Sequence, residues 1–506
     1  MERPLLVRAR VRTMAATDEA FDWLLAEGGT ITGLGLGPVP DELVGRSDVL
    51  DFDGLTVLPA LHDGHVHFLE TGLTKLDLDL GVARKRRDVL GLIESAASEH
   101  RGALLRAHSF DPDLLPDGSY ISRAELDAIA PDTAVLVRRR DGHSCVVNGR
   151  AADLLEVEGL DGVETDGGGG PTGVLRREAN TRAVRRAMDL LTREERVRCF
   201  HLAAASAAGR GVGIVHALAG NREPHNRDTE ILLETEPDLP IDIVVYAQTH
   251  DVDRVAALGL PRIGGCLLID GSFSSGTAAL EEPYADGGGR GTLYYDEDEL
   301  VGFFRSAHER GMQASVHAIG DRAITQALAC FEKACGSEAG AARHRIEHFE
   351  LASPAHIATM ARLGMGACVQ PTFELLWGDP GGMIETRLGP ERARLTNPFR
   401  SILASGVHLG GGSDSYVTPM DSLLGIHAAV NRPNAAQRLD VFDAVRLFTS
   451  GVAWLSFDEG RRGTLETGKE ASFVVLRDDP FGVDPARIRD IEVAGLYLRG
   501  HEVTVA

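Results

Sequence analysis

The sequence predicts an α/β fold: a closed (β/α)8 barrel of the TIM type with an inserted lobe and a small β domain formed by both chain termini. Three observations predict it. From about residue 200 onward, short apolar strands alternate with amphipathic helices, the order expected of βα units on a parallel sheet. Metal-ligand-type side chains recur where those strands end. Residues 1–57 and 458–506 differ from the middle of the chain, with short β-like runs separated by Gly and Pro turns.

The first barrel strand is read at 55–66, where the apolar stretch Leu55-Thr56-Val57-Leu58-Pro59-Ala60-Leu61 leads into His65-Val66-His67. Residues two apart on a strand face the same side, so both imidazoles can reach one metal ion. More than a hundred residues separate this strand from the next, too many for one crossover, so about 70–195 is read as a lobe beside the barrel mouth. Thr192 and Glu195 make a capping box for a helix to about Ala208, and a strand follows at 212–217. Further strands are read at 241–247 and 264–270. Acidic Asp296-Glu297-Asp298-Glu299 then opens a helix whose buried face is Leu300, Phe303, Phe304 and Ala307, and Gly311 stops it before strand 312–317, ending in His317. Strand 344–348 ends in His348. Ser353-Pro354 caps a helix that buries Ile357, Met360, Ala361 and Leu363 and stops at Gly364, before strand 365–370. The eighth strand, 406–413, precedes Asp414. Active sites of such barrels lie at the carboxyl ends of the strands, so all these ligand-type residues are expected in one mouth. The terminal runs at 29–34, 471–476 and 491–498 are expected to pair into one β domain, 1–57 plus 458–506, beside a barrel domain of 58–457.

Composition narrows the partners. With 506 residues and a formal net charge of −23, the chain repels phosphate backbones, which argues against nucleic acid. The basic runs Arg84-Lys85-Arg86-Arg87 and Arg138-Arg139-Arg140 read as solvated faces. The six cysteines form no CxxC pair, so neither a disulfide framework nor a zinc ribbon is indicated, and a reducing compartment fits. The start lacks an apolar signal core and no stretch reaches the roughly 18 apolar residues of a membrane span. The expectation is an unprocessed cytoplasmic protein with a small-molecule substrate, no nucleic-acid or membrane partner, and a homodimer as the default assembly.

Several motifs carry a resemblance: Leu58-Pro59-Ala60-Leu61-His62-Asp63-Gly64-His65-Val66-His67, Asp141-Gly142-His143-Ser144-Cys145-Val146-Val147-Asn148, Pro171-Thr172-Gly173-Val174-Leu175, Asp270-Gly271-Ser272, His317-Ala318-Ile319-Gly320-Asp321-Arg322-Ala323, His344-Arg345-Ile346-Glu347-His348, Val369-Gln370-Pro371 and Gly412-Ser413-Asp414. In this order the chain closely resembles the amidohydrolase superfamily, amidohydrolase family 3, in the branch containing N-substituted formamide deformylases. The resemblance implies a metal-dependent barrel with a sandwich built from both chain ends, and hydrolysis of a carbon–nitrogen bond other than a peptide bond. Two departures stand out. Ser472 occupies a position where Asp is usual, and Cys266 occupies the position of the lysine that, carboxylated, bridges two metals in that branch. The only lysines are 75, 85, 333 and 469, none at the end of a barrel strand. A thiolate is a good zinc ligand, and the D-aminoacylases resemble this arrangement in using a metal-bound cysteine. The other reading of Cys266 is a small buried apolar residue, so the metal count stays open between one and two.

The resemblance implies His65, His67, Cys266, His317, His348 and Asp414 as ligands of zinc or another divalent metal, with Asp414 taking the proton of the attacking water and returning it to the departing nitrogen. His143, in the lobe, is expected to donate to the carbonyl oxygen or the substrate, with Asn148 a weaker neighbour. Gln370 is expected to face the substrate, and Phe373 and Trp377 to wall an apolar pocket. Asp321 and Glu347 are expected to orient histidines or loops, and His216 to stand near the ligands without being one. Two other readings remain open: a cyclic-amide, ester or deaminase-type hydrolase of the same superfamily, and a non-catalytic metal- or ligand-binding barrel.

Overall fold

The computed structural model describes residues 3–504 except 18, 117, 141, 143 and 221–225. Eight parallel strands form the barrel, in spatial order β1 (Leu61–His67), β2 (Val212–Ala219), β3 (Asp242–Ala247), β4 (Arg262–Ile263), β5 (Gln313–Ala318), β6 (Arg345–His348), β7 (Gly366–Val369) and β8 (His408–Gly411). The ring closes just past β8, where Asp414 N–H donates to His65 O at 2.9 Å and Ser415 pairs with Val66. The helices between strands follow the sequence logic. Asp296 caps Glu297–Glu309, which buries Leu300, Phe303, Phe304 and Ala307, and Ser353 caps Pro354–Leu363, which buries Ile357, Met360 and Leu363 and ends on Gly364 at φ +65°. Ala361 is only half-buried.

Two strand readings are corrected. The stretch 55–66 is two strands, not one: Asp48–Pro59 belongs to a sheet of the chain ends, and β1 begins at Leu61. Pro59 has no N–H to continue a ladder, and Ala60 N–H goes to Ser472 O at 3.0 Å, so the chain changes sheets at this point. The fourth strand, read at 264–270, ladders only over Arg262–Ile263, and its second half touches β5 through a single Leu268–His317 bridge. The cause is Gly264-Gly265, at φ +102° and +67°. A Cβ on Gly264 would lie 2.0 Å from Ser315 O, so only glycine lets the chain turn here.

Both chain ends build one seven-stranded sheet. Its order is His501–Glu502, Val493–Leu498, Phe473–Leu476, Asp48–Pro59, Leu5–Arg12, Ala20–Glu27, Thr30–Gly35, a single continuous ladder rather than two separately laddered layers. Val7, Val11, Leu24, Ile31, Val57, Phe473 and Val475 form its buried core. This sheet and the barrel lie in one compact unit, Met1–Phe68 with Ala204–Ala506.

The second unit, Leu69–Ala203, holds a six-stranded sheet whose longest strands are Leu105–Phe110 and Pro171–Arg176. Period-two alternation in Val135–Arg139 puts Val135 and Val137 with Val89 and Ile93 of helix Arg86–Glu99, and Leu136 with Ala179 and Ala183 of helix Arg177–Asp189. Thr192 and Glu195 form the expected reciprocal cap, at 2.9 and 3.1 Å. Among the described residues no helix is long and apolar enough to cross a membrane.

Candidate metal centre and active site

The barrel brings together six side chains read from the sequence: His65, His67, Cys266, His317, His348 and Asp414. His65 and His67 project from the same face of β1. Asp414 Oδ1 lies 3.2 Å from Nε2 of each. Asp414 holds this place at φ +56°, a left-handed conformation that Asp tolerates better than most residues, and its own N–H is tied to His65 O. Gly412 permits the approach, since a Cβ there would sit 2.7 Å from the backbone nitrogen of His65.

Cys266 stands between this group and a second one. Its Sγ is 3.6 Å from His317 Nδ1 and 3.9 Å from His348 Nε2. The ligand atoms of His65, Cys266 and His348 all lie within 4.8 Å of one another, as do those of His65, His67 and Asp414. The turn at Gly264-Gly265 delivers the thiol here, because a regular strand would have stayed in the ladder.

Hydrogen-bonding neighbours assign the presented nitrogen for two of the rings. His65 Nδ1–H donates to Glu347 Oε2 at 2.7 Å, leaving the Nε2 lone pair toward Asp414. His317 Nε2–H donates to Gly271 O at 3.1 Å, leaving Nδ1 toward Cys266. His65 Nε2 and Asp414 Oδ1 are buried without a hydrogen-bond partner, and their 3.2 Å contact lacks hydrogen-bond alignment. Buried polar atoms are almost always paired, so this arrangement fits donors that close on a cation. The two anionic donors are held ionised. Burial pushes the Cys266 thiol up, but His317, His348 and His65 outweigh it and hold the group well below its ordinary value. Burial likewise opposes ionisation of Asp414, and His65 with His67 overrides it, keeping the carboxyl well below the carboxylate range. Burial draws His317 down, but the Cys266 charge and hydrogen bond, Asp270 and the Gly271 carbonyl together raise it to about 9. A thiolate, a carboxylate and imidazoles so gathered form a nitrogen, sulfur and oxygen donor set suited to a divalent transition metal.

The remaining predicted residues sort differently. Glu347 orients His65 as expected, and Asp321 orients a loop, accepting from Glu281 N–H and Arg322 N–H at 2.9 and 3.0 Å. His216 accepts at Nδ1 from Arg345 at 3.0 Å. Phe373 lies parallel to the His348 ring, centroids 6.0 Å apart, and Trp377 meets Phe373 at 4.9 Å while packing on the cluster of Phe273 and Leu280. Gln370 is buried, with Oε1 unpartnered. His143 lies outside the described residues. Asn148 departs from its expected substrate role. Its Oδ1 accepts from Val135 and Ala151, both at 3.0 Å, and its Nδ2 donates to Ala130 and Thr133 carbonyls, so the amide is spent capping helix Gly149–Leu154.

Sequence reasoning missed three residues. Asp270 accepts backbone N–H groups of Ala279, Ile319 and Gly320 at 2.8–3.0 Å and lies 3.5 Å from His317 Nε2; only its place in the Asp270-Gly271-Ser272 motif signalled it. Tyr416, two residues beyond Asp414, brings its ring within 6.1 Å of His67. Arg345 is fully buried in the barrel.

A second His/Cys grouping, His308, Cys335 and His344, has its ligand atoms within the same 4.8 Å but differs in its protons. His344 Nδ1 accepts from Ala314 N–H at 2.9 Å, so the neutral ring carries its proton on Nε2, aimed at His308 Nδ1 3.1 Å away. That proton stands where a cation would have to be, and the grouping is a hydrogen-bonded one.

Donors of this kind at the mouth of a parallel barrel define a class, the metal-dependent hydrolases. Within it the chain belongs to the amidohydrolase family: the profile described as "Amidohydrolase family" matches residues 48–504. The putative amidohydrolase YtcJ of Bacillus subtilis is 27% identical over 97% of this chain and 98% of its own length. The N-substituted formamide deformylase of Arthrobacter pascens is 24% identical over 98% and 97%. The crystal structure of an uncharacterized metal-dependent hydrolase from Pyrococcus furiosus superposes with a TM-score of 0.80 at 26% identity, covering 94% of this chain and 100% of that one. The protein is thus a metal-dependent amidohydrolase.

Proposed function

We propose that the chain hydrolyses a non-peptide carbon–nitrogen bond, of amide or formamide type, in a small N-acyl or N-formyl compound, and that its metal is zinc. The observation that carries this reading is the placement of Cys266 Sγ between the His65, His67, Asp414 group and the His317, His348 group. A thiolate at position 266, where the related branch carries a lysine, would be within reach of ions held on either side of it, so two ions are the proposed complement. His65, His67, Cys266, His317, His348 and Asp414 would hold the zinc, which when bound would supply Lewis acidity to the carbonyl and lower the pKa of water.

The residues of the chain do the rest. Asp414, ionised and against His65 and His67, accepts the proton of the water that attacks the carbonyl carbon, then returns it to the departing nitrogen, which leaves poorly as an anion. Glu347 keeps His65 in one tautomer throughout. Phe373 and Trp377 favour an apolar substituent beside His348, and the unpartnered Oε1 of Gln370 suits an N–H of the substrate. The relationship to a formamide deformylase supports the substrate class. The test is a panel of N-formyl, N-acetyl, cyclic-amide, ester and amine substrates, assayed before chelation, after chelation and after adding back zinc. Zinc-dependent turnover confined to N-formyl or N-acyl amides is expected; turnover indifferent to chelation, or restricted to esters or deamination, contradicts the reading.

A further inference from the structure

We propose that Arg345 is a positioning residue of this centre, one buried guanidinium that registers β1, β2, β5 and β6 against one another and, through Glu347, sets the ring of His65. The inference rests on the metal-dependent reading above and extends it to a group that touches neither metal nor substrate. Arg345 is wholly shielded from solvent. Its Nε donates to Glu347 Oε1 at 2.5 Å and to Ser315 Oγ at 3.3 Å, its Nη1 to His216 Nδ1 at 3.0 Å, and its Nη2 to Gly64 O at 3.0 Å. Its underside lies 4.2 Å from the Tyr246 ring centroid, on β3.

Two features separate this from an ordinary buried ion pair. Barrel interiors are normally filled by layers of branched apolar side chains, and an apolar replacement for a buried pair is often neutral or stabilising, so stability alone does not call for an arginine here. Two of the bonds of Arg345 also end beside a metal donor. Gly64 immediately precedes His65 in β1. Glu347 spends Oε1 on Arg345 and Ser315, which leaves Oε2 as the acceptor for His65 Nδ1–H. The chain Arg345, Glu347, His65, Asp414 therefore runs from the barrel interior to the mouth by side-chain contacts alone. Only the planar fork of arginine reaches four strands at once; a lysine keeps the charge and loses the pattern.

The experiment compares zinc affinity, by competition with a chromophoric chelator, and the visible spectrum of the cobalt-loaded protein, in wild type, R345K and R432K. Arg432 is an equally buried arginine paired with Glu374 at 3.0 Å, so R432K reports what loss of a buried arginine does by destabilisation alone. R345K is expected to weaken zinc binding about 10–100-fold and to shift the cobalt spectrum, the usual scale for loss of a partner behind a metal-bound histidine, while R432K leaves both unchanged. A folded R345K with wild-type affinity and spectrum, or an R432K weakened as much, overturns the role of Arg345 and leaves the hydrolase reading intact. If R345K does not fold, E347Q is measured instead: the same weakening is expected, and wild-type affinity overturns the proposal. A wild-type chain that takes up no divalent ion overturns both.

Discussion

Asp414→Asn separates proton transfer from metal holding. The change is nearly isosteric, and Asn tolerates the left-handed backbone at φ +56°, so the N–H bond to His65 O and the closure of the barrel survive. What is lost is a buried carboxylate 3.2 Å from His65 and His67 that is held ionised by both. His65, His67, Cys266, His317 and His348 remain as donors. General acid–base catalysis contributes roughly 10²–10⁴-fold, equivalent to about 3–5 kcal/mol of barrel-mouth transition-state stabilisation, and that is the expected fall in kcat/KM. The assay is steady-state kinetics on the best amide of the panel, with metal content measured on the same samples. A variant that keeps its metal and works within about tenfold of wild type refutes Asp414 as proton carrier. A variant that loses activity only in proportion to lost metal makes Asp414 a ligand and nothing more.

Two further outcomes follow from the fold. Gly264→Ala places a Cβ 2.0 Å from Ser315 O at φ +102° and is expected to lower thermal stability by more than about 3 kcal/mol and to reduce metal content through Cys266, whereas Gly259→Ala, at φ +70° with open space around it, costs about 1 kcal/mol; equal melting temperatures for the two contradict the turn's role. Burial, assisted by His308, lowers His344 from 6.5 to about 3, so between those values the unfolded chain binds a proton that the folded chain refuses, and this group costs stability as pH falls through that window. His344→Asn keeps an acceptor for Ala314 N–H without titrating, so the stability of wild type relative to that variant is expected to drop by a few kcal/mol between about pH 7 and pH 4 in urea unfolding; a constant difference contradicts the assignment.

The parts of the site legible in the sequence were those whose position follows from strand periodicity. His65 and His67 share a face because they are two apart, and His317, His348 and Asp414 sit where apolar runs end. The second half of the fourth strand misled because Leu267, Leu268 and Ile269 read as a strand interior, while the feature that takes them out of the ladder is the contact of Gly264 with Ser315, remote in sequence. The change of sheets at Pro59 was signalled by the proline itself. Asn148 carried a cap signal, an Asn before a helical run, that the neighbouring motif obscured. Arg345 could not be read and Asp270 was signalled only by its motif, because a charged residue in a sequence suggests solvent, and only the assembled barrel supplies Glu347, His216 and the backbone groups that make burial tolerable.

Elemental analysis of purified wild type beside Cys266→Ala bears most directly on the centre itself. Close to two zinc ions per chain are expected in wild type and one or none in Cys266→Ala, with the five other donors unchanged. Equal metal content in the two proteins would contradict a bridging thiolate, and a wild type free of divalent metal would contradict the centre.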